Sequence, residues 1–357
     1  MKVLTVIGNR PQFIKAAAVS PLLRERGSEL LVHTGQHHDD ELSAVFFTEL
    51  GIPQPEVQLE VSGGSNTSQT ARMLAALEPV IRGAQPDCVL VYGDTNSTLA
   101  GALAAVQLGV PVAHVEAGMR SFDRRMPEEV NRVLTDHLSS LLLCSSAVPA
   151  ANLEREGVEA AVTVVGDVMV DVAQAIQPRA RERVDLVVAH GVEPGAYLLA
   201  TAHRAGNVDD PDRLAALVEL LLGTGQPLVL PLHPRTRARL EAAGLLARLT
   251  SSAQVTVTAP LGYVELTALL VNARAVLTDS GGLQKEAYLA GVPCVTLRPS
   301  TEWVETVEAG WNTLVDLDLS RARAALATAP PQQRPQLYGD GHAGSRVVSA
   351  LLEAFAA

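Results

Sequence analysis

Short apolar runs rich in β-branched residues recur along the chain, and each is followed by a turn and then by an apolar spacing near helical period. Lys2 to Ile7, Leu30 to His33, Cys88 to Tyr92, Pro111 to Val115 and Ser140 to Cys144 read as strands. Ile14 to Arg26 and Leu99 to Gln107 read as helices between them. A second series begins near Ala196, with strands predicted at Tyr197 to Thr201, Pro227 to Leu232, Gln254 to Thr258, Ala275 to Thr278 and Pro293 to Leu297. Continuous apolar strands alternating with helices predict parallel sheets covered on both faces. The polar-flanked stretch Gly166 to Gly195 separates the two series. The pattern therefore predicts an α/β fold of two Rossmann-like domains, residues 1–166 and 167–341. Ligands in such sheets bind beyond the carboxyl ends of the strands, and chemistry is sought there.

The chain of 357 residues is too long for one typical core, in keeping with two domains. Aromatic residues make up only 3%, so Leu, Val and Ala must do most of the packing. A net charge of -11 argues against nucleic acid or an anionic membrane as partner. An anionic ligand would then need locally gathered cations, so an Arg or Lys beside a glycine-rich loop becomes informative. No apolar stretch is long enough to span a bilayer, and Met1-Lys2 runs straight into a strand pattern. A cytoplasmic protein without membrane insertion is expected. Cys88, Cys144 and Cys294 lie in apolar runs without CxxC spacing and read as buried free thiols. No metal site is expected; His37-His38-Asp39-Asp40 suits a helix start better than a ligand set.

Two loops look able to receive an anion. Gly8-Asn9-Arg10-Pro11-Gln12-Phe13-Ile14-Lys15 follows the first strand, where a helix start offers free N–H groups and Arg10 and Lys15 add charge. Asp279-Ser280-Gly281-Gly282 closes another strand and opens a helix, and its small residues would let phosphate approach the backbone. Glu286 lies about one turn onward, placed to accept from sugar hydroxyls. Plain helix capping, with Ser280 as N-cap, would produce the same residues. Neither loop matches the dinucleotide or nucleoside-triphosphate fingerprints, so no redox cofactor is expected.

Three carboxylates follow strands or open a helix. Asp94 and Glu116 end adjacent predicted strands and should share a rim. Glu128 opens a helix with Arg132 one turn away, a spacing that would hold Glu128 ionised. For Glu128 the plain alternative is an acidic helix start after Pro127. His203 and His233 sit at strand ends of the second series and suit phosphate contacts or proton transfer, although a lone His is more often a satisfied structural group.

These residues resemble a known family. Gly8 to Lys15, Tyr92-Gly93-Asp94-Thr95-Asn96-Ser97-Thr98, His114-Val115-Glu116-Ala117-Gly118, Met126-Pro127-Glu128-Glu129-Val130-Asn131-Arg132, Asp279 to Gly282 and Tyr338-Gly339-Asp340-Gly341 are similar, in order, to motifs of the non-hydrolysing UDP-N-acetylglucosamine 2-epimerases. The resemblance implies a glycosyltransferase-B-type fold with a cleft between its domains, a last helix (342–357) returning to the first domain, and a homodimer. It implies UDP held by Ser280, Gly281 and Gly282, helped by Arg10 and His203, with Glu286 on the ribose. Asp94, Glu116 and Glu128 would be the acid/base carboxylates. Lys15, Arg132 and His233 are further candidate substrate contacts, and His203 a further candidate for the chemistry. The implied activity is reversible C2 epimerisation of UDP-N-acetylglucosamine through loss and return of UDP. This chain departs from many members at Asn9 and Gln12, and after His203-Arg204. Thr301-Glu302-Trp303-Val304-Glu305 resembles a sub-branch acting on UDP-2,3-diacetamido-glucuronic acid, which is the alternative substrate. A UDP-sugar glycosyltransferase of the same fold is the other rival.

Overall fold

A computed structural model describes residues 1–36 and 49–356; His37-His38-Asp39-Asp40 lies outside the described residues. The chain divides into two compact units, Met1–Val172 with Gln336–Ala357, and Ala173–Pro335.

The first unit carries a parallel sheet of β1 (Lys2–Ile7), β2 (Ser28–His33), β3 (Val57–Gln58), β4 (Cys88–Tyr92), β5 (Val112–Val115), β6 (Leu141–Cys144) and β7 (Ala161–Val164), in the order β3-β2-β1-β4-β5-β6-β7. All five residues of β4 are buried, as a strand covered on both faces requires. Helix Asn66–Ala84 lays Met73, Leu77 and Ile81, spaced by four, onto Leu4, Val6, Val89 and Val91. The second unit is built alike from β8 (Leu198–Thr201), β9 (Leu228–Pro231), β10 (Val255–Thr258), β11 (Ala275–Thr278), β12 (Cys294–Thr296) and β13 (Asn312–Leu314), in the order β10-β9-β8-β11-β12-β13, all parallel. Leu198, Leu230 and Leu277 pack on one face with Leu217 and Leu221; Leu199, Val229 and Val276 pack on the other with Leu269.

Strands β3, β7 and β13 had no counterpart in the pattern. Two have only two or three residues, and β7 is exposed throughout at the sheet edge, so none shows a buried run. Cys88, Cys144 and Cys294 are free and buried, and burial pushes each thiol up to about 12. Among the described residues no helix is long and apolar enough to cross a membrane.

The division between units differs from the expected residue 166 and residue 341. The chain leaves the first unit inside helix Val168–Glu182 and returns at Gln336. Residues 336–341 pack back on the first unit: Asp167 N–H donates to Tyr338 O at 2.9 Å, and a Cβ on Gly339 would lie 3.4 Å from Gly166 Cα. Helix Ala343–Phe355 is then held at its start by Asp171, whose carboxylate accepts from Ala343 N (3.1 Å) and Gly344 N (2.8 Å). Gly344 is pressed against helix Arg10–Arg26: a Cβ there would stand 2.1 Å from Ala18 O. The neighbour is backbone and cannot swing away. Gly344→Ala is therefore expected to destabilise the first unit by about 1–3 kcal/mol, read as a lower unfolding midpoint in urea.

Candidate active site

In the first unit the strand register brings three turns together. Val6 pairs with Val91 and Tyr92 with Val115, so the chain beyond β1, β4 and β5 emerges side by side at one rim. The first loop is shorter than the pattern suggested. Helix Arg10–Arg26 begins straight after Gly8-Asn9, with Asn9 as N-cap accepting from Gln12 N at 3.2 Å and Pro11 in its first turn. Arg10 and Lys15 are thus helical. Gly8 is needed for closeness: a Cβ would fall 2.2 Å from both Thr34 Oγ1 and Ser97 Oγ. Buried Gln12 ties the turns together, accepting from Gly8 N (2.7 Å) and donating to Tyr92 O and Thr98 Oγ1 (both 2.9 Å).

Glu116 follows β5 with φ +70, a left-handed conformation that costs a non-glycine residue of order 1–3 kcal/mol and collects at functional sites. Its Oε2 lies 2.5 Å from Lys15 Nζ, both side chains being largely shielded. Lys15 therefore meets Glu116, and Gly93 (φ +63) leaves the ammonium room, since a Cβ there would stand 3.0 Å from it.

Asp94 and Glu116 share the rim that the strand pattern predicted, but the expected pairing of Arg132 with Glu128 does not form. Arg132 donates instead from Nη2 to Asp94 Oδ2 (2.6 Å) and from Nη1 to Glu129 Oε2 (3.0 Å). Helix Pro127–Leu138 turns Glu129 inward: it is 1% exposed and also accepts from Ser121 N, Ser121 Oγ and Phe122 N at 2.8–3.0 Å. Burial pushes this carboxyl up, but the hydrogen bonds outweigh it and its pKa is lowered. Two carboxylate partners within reach, one of them buried, win the guanidinium over the half-exposed Glu128. Glu128 has no hydrogen bond or ion pair among the described residues, which leaves a carboxylate ready for a proton or a hydroxyl.

In the second unit, Thr201 pairs with Thr278 and Leu199 with Val229, so His203, His233 and Ser280 follow neighbouring strands. The His203 and His233 rings lie 5.7 Å apart between centroids. His233 is the N-cap of helix Pro234–Ala242, its Nδ1 accepting from Arg235 N at 3.2 Å. Ser280 is the N-cap of helix Gly281–Ala290, accepting from Leu283 N at 3.4 Å. The two glycines differ. Gly282 is exposed and a Cβ there would meet Ser280 Oγ at an ordinary 3.9 Å, whereas a Cβ on Gly281 would lie 2.1 Å from Glu302 Oε1. Gly281 thus makes room for Glu302, which pairs with Arg298 Nη1 at 3.0 Å, and Gly282 is the position open to a ligand. Glu286 hydrogen-bonds Tyr263; burial dominates over that bond and over the charge of Lys285, and its pKa is raised to about 7.

Several organising residues escaped the sequence reading. Asp279, fully buried, accepts from His203 N, Arg204 N and Asn207 Nδ2 at 3.0–3.1 Å and so fixes the loop that carries His203. Glu129, Gln12 and the pair His114–Asp136 do the same in the first unit. Asp279 stands two residues before Gly281, but Glu129 and Asp136 lie inside helix Pro127–Leu138 with no glycine beside them to mark them. Lys285, nearly buried, lies 4.5 Å above the Trp303 ring. Among the described residues no cluster of His, Cys, Asp or Glu is arranged to hold a metal ion.

Comparison with known proteins bears on this constellation. Residues 23–352 match the family model described as UDP-N-acetylglucosamine 2-epimerase. A UDP-2,3-diacetamido-2,3-dideoxy-D-glucuronate 2-epimerase of Pseudomonas aeruginosa is 50% identical over 98% of this chain and 99% of its own. The crystal structure of Methanocaldococcus jannaschii UDP-GlcNAc 2-epimerase in complex with UDP-GlcNAc and UDP is 39% identical, covers 99% of this chain and 100% of that one, and superposes with a TM-score of 0.92. Phytolacca americana UGT2, complexed with UDP-2fluoro-glucose and pterostilbene, is 13% identical with a TM-score of 0.56 over 99% and 93% of the chains, and shares the glycosyltransferase-B-type fold alone. The chain belongs to the UDP-N-acetylglucosamine 2-epimerase family.

Proposed function

We propose that this chain inverts C2 of UDP-N-acetylglucosamine by expelling UDP from C1 and adding it back. The observation that carries this reading is the set of carboxylates in the first unit: strained Glu116 on Lys15, Asp94 on Arg132, and Glu128, which has no hydrogen bond or ion pair among the described residues. C2–H of a hexosamine is not next to a carbonyl and resists simple deprotonation. Departure of UDP gives C1 oxocarbenium character, which acidifies C2–H; loss of that proton leaves a 2-acetamidoglucal and UDP. Re-protonation from the other face and return of UDP complete the inversion, with atoms and charge balanced and no redox step. Two faces need two proton-handling groups, which several carboxylates supply. Lys15, 2.5 Å from Glu116 Oε2, fixes where that carboxylate stands.

In this reading the second unit holds the nucleotide. His203, His233 and the helix end at Ser280 and Gly282 receive the diphosphate, a stabilisation that grows as the C1–O bond breaks. Glu286 accepts from the ribose hydroxyls. The active form is a cytoplasmic homodimer, as the family resemblance implies.

Identity of 50% with the diacetamido-glucuronate enzyme supports a second reading, in which UDP-2,3-diacetamido-glucuronic acid is the sugar and the chemistry is unchanged. Each UDP-sugar is supplied alone and followed by NMR. An epimerase equilibrates its substrate with no acceptor present; a requirement for an acceptor would make the chain a transferase instead.

Glu286 gives this reading a pH signature. Its pKa of about 7 means that the accepting carboxylate forms as pH rises through 7. Affinity for UDP-N-acetylglucosamine, whose diphosphate does not titrate in this range, is expected to weaken about tenfold per unit below 7 and level off above it. Glu286→Gln should flatten the profile in calorimetry. In the unliganded protein the sign reverses: a raised carboxyl favours folding at low pH, and that contribution is lost as pH climbs through 7.

A further inference from the structure

One buried ion-paired chain in the first unit takes no part in the chemistry above. His114, in β5 and 0% exposed, places Nδ1 2.7 Å from Asp136 Oδ1 and Nε2 2.7 Å from Gly93 O. Asp136, also 0% exposed, accepts on its other oxygen from Arg120 Nη1 (2.7 Å) and Gly118 N (3.1 Å). Arg120 forks onto Glu156, with both N···O distances 2.7 Å. Burial pushes Asp136 up, yet His114 and Arg120 outweigh it and its pKa is lowered, so the group is a carboxylate. A carboxylate and a carbonyl both accept only, so the geometry requires both His114 nitrogens to donate. Positive and negative groups then alternate through the interior from His114 to Glu156, each charge facing its opposite.

The His114–Asp136 part of this chain touches both turns that carry Asp94 and Glu116. Gly93 precedes Asp94, and its carbonyl is pinned by His114 while its N–H donates to Val115 O at 3.0 Å. Gly118, two residues after Glu116, is pinned through its N–H by Asp136. We propose that His114 is a positioning residue that sets the spacing of Asp94 and Glu116 by clamping both turns through Asp136, without itself exchanging a proton with substrate. This rests on reading Asp94 and Glu116 as the proton-handling pair. An error near 1 Å in that spacing costs about 100-fold in rate, which makes a buried clamp worth its desolvation.

The test compares two amides. A Gln side chain reaches roughly where Nε2 stands and keeps the bond to Gly93 O; Asn reaches only the Nδ1 position. His114→Asn is expected to lower kcat about 100-fold with KM changed less than threefold, and His114→Gln to recover most of it. The pH profile of kcat should keep its shape in His114→Gln. Equal loss in both variants, a lost pH limb in His114→Gln, or a folded His114→Asn with normal kcat would each overturn the proposal. Should both variants fail to fold, ¹⁵N-histidine NMR of the native protein decides: two protonated ring nitrogens on His114 at the assay pH support the clamp, and a neutral tautomer overturns it. If the carboxylate reading itself is wrong, Asp94→Asn and Glu116→Gln keep their kcat, an outcome separate from all of these.

Discussion

Asp94→Asn is expected to lower kcat by about 10²- to 10⁴-fold while leaving the affinity for UDP within a factor of a few. The substitution keeps the shape of the side chain and removes its charge and basicity, the quantity that proton transfer uses. Arg132 retains Glu129 as partner at 3.0 Å, so the helix that bears it stays in place. The UDP contacts are assigned to residues of the second unit, whereas Asp94 belongs to the first. Steady-state kinetics with calorimetric titration of UDP separates the two quantities. Matching losses in turnover and in UDP affinity would instead make Asp94 a nucleotide ligand. Glu116→Gln should fall in the same range, with one difference: it leaves the Lys15 ammonium, now 2.5 Å from its counter-ion, beside a neutral amide. Some loss of stability should accompany its loss of rate.

The other large effect concerns Asp279→Ala. Its fully buried carboxylate is the shared acceptor for two backbone N–H groups and the buried Asn207 amide. Truncation leaves those donors unsatisfied at a cost of about 3 kcal/mol or more. A second unit spanning Ala173–Pro335 should then unfold roughly 6–12 °C lower. The loop carrying His203 loses its anchor as well, so UDP affinity is expected to fall in protein that is still folded. Differential scanning calorimetry reads the first effect and isothermal titration the second. Unchanged UDP affinity in the folded variant would remove His203 from the nucleotide site.

Much of the architecture was legible because a strand buried on both faces leaves an unmistakable run, as Cys88 to Tyr92 does. The parallel order then fixes which turns share a rim, and the strand pattern alone makes Asp94 and Glu116 neighbours. Pairing between side chains was less accessible. A helical spacing of four made Arg132 and Glu128 natural partners, but three-dimensional neighbours outside the helix competed for the guanidinium, and Asp94 is invisible from the helix alone. Ser-Gly-Gly suffered the same limit. Composition says that Gly281 and Gly282 lack side chains; only packing says that Glu302 fills the space over Gly281 while Gly282 lies exposed. Buried anchors such as Asp279, Glu129 and Asp136 are identified by what donates to them, and donors on distant loops leave no local pattern.

In the proposed reaction the nucleotide leaves C1 so that C2–H can be lost and restored. Incubation of the protein with UDP-N-acetylglucosamine in D₂O, with the sugar read by ¹H NMR, tests this directly. Deuterium at C2 of the epimer is the expected result, with the recovered starting sugar acquiring the label as equilibrium is approached. Epimer carrying only protium at C2 would contradict the elimination route.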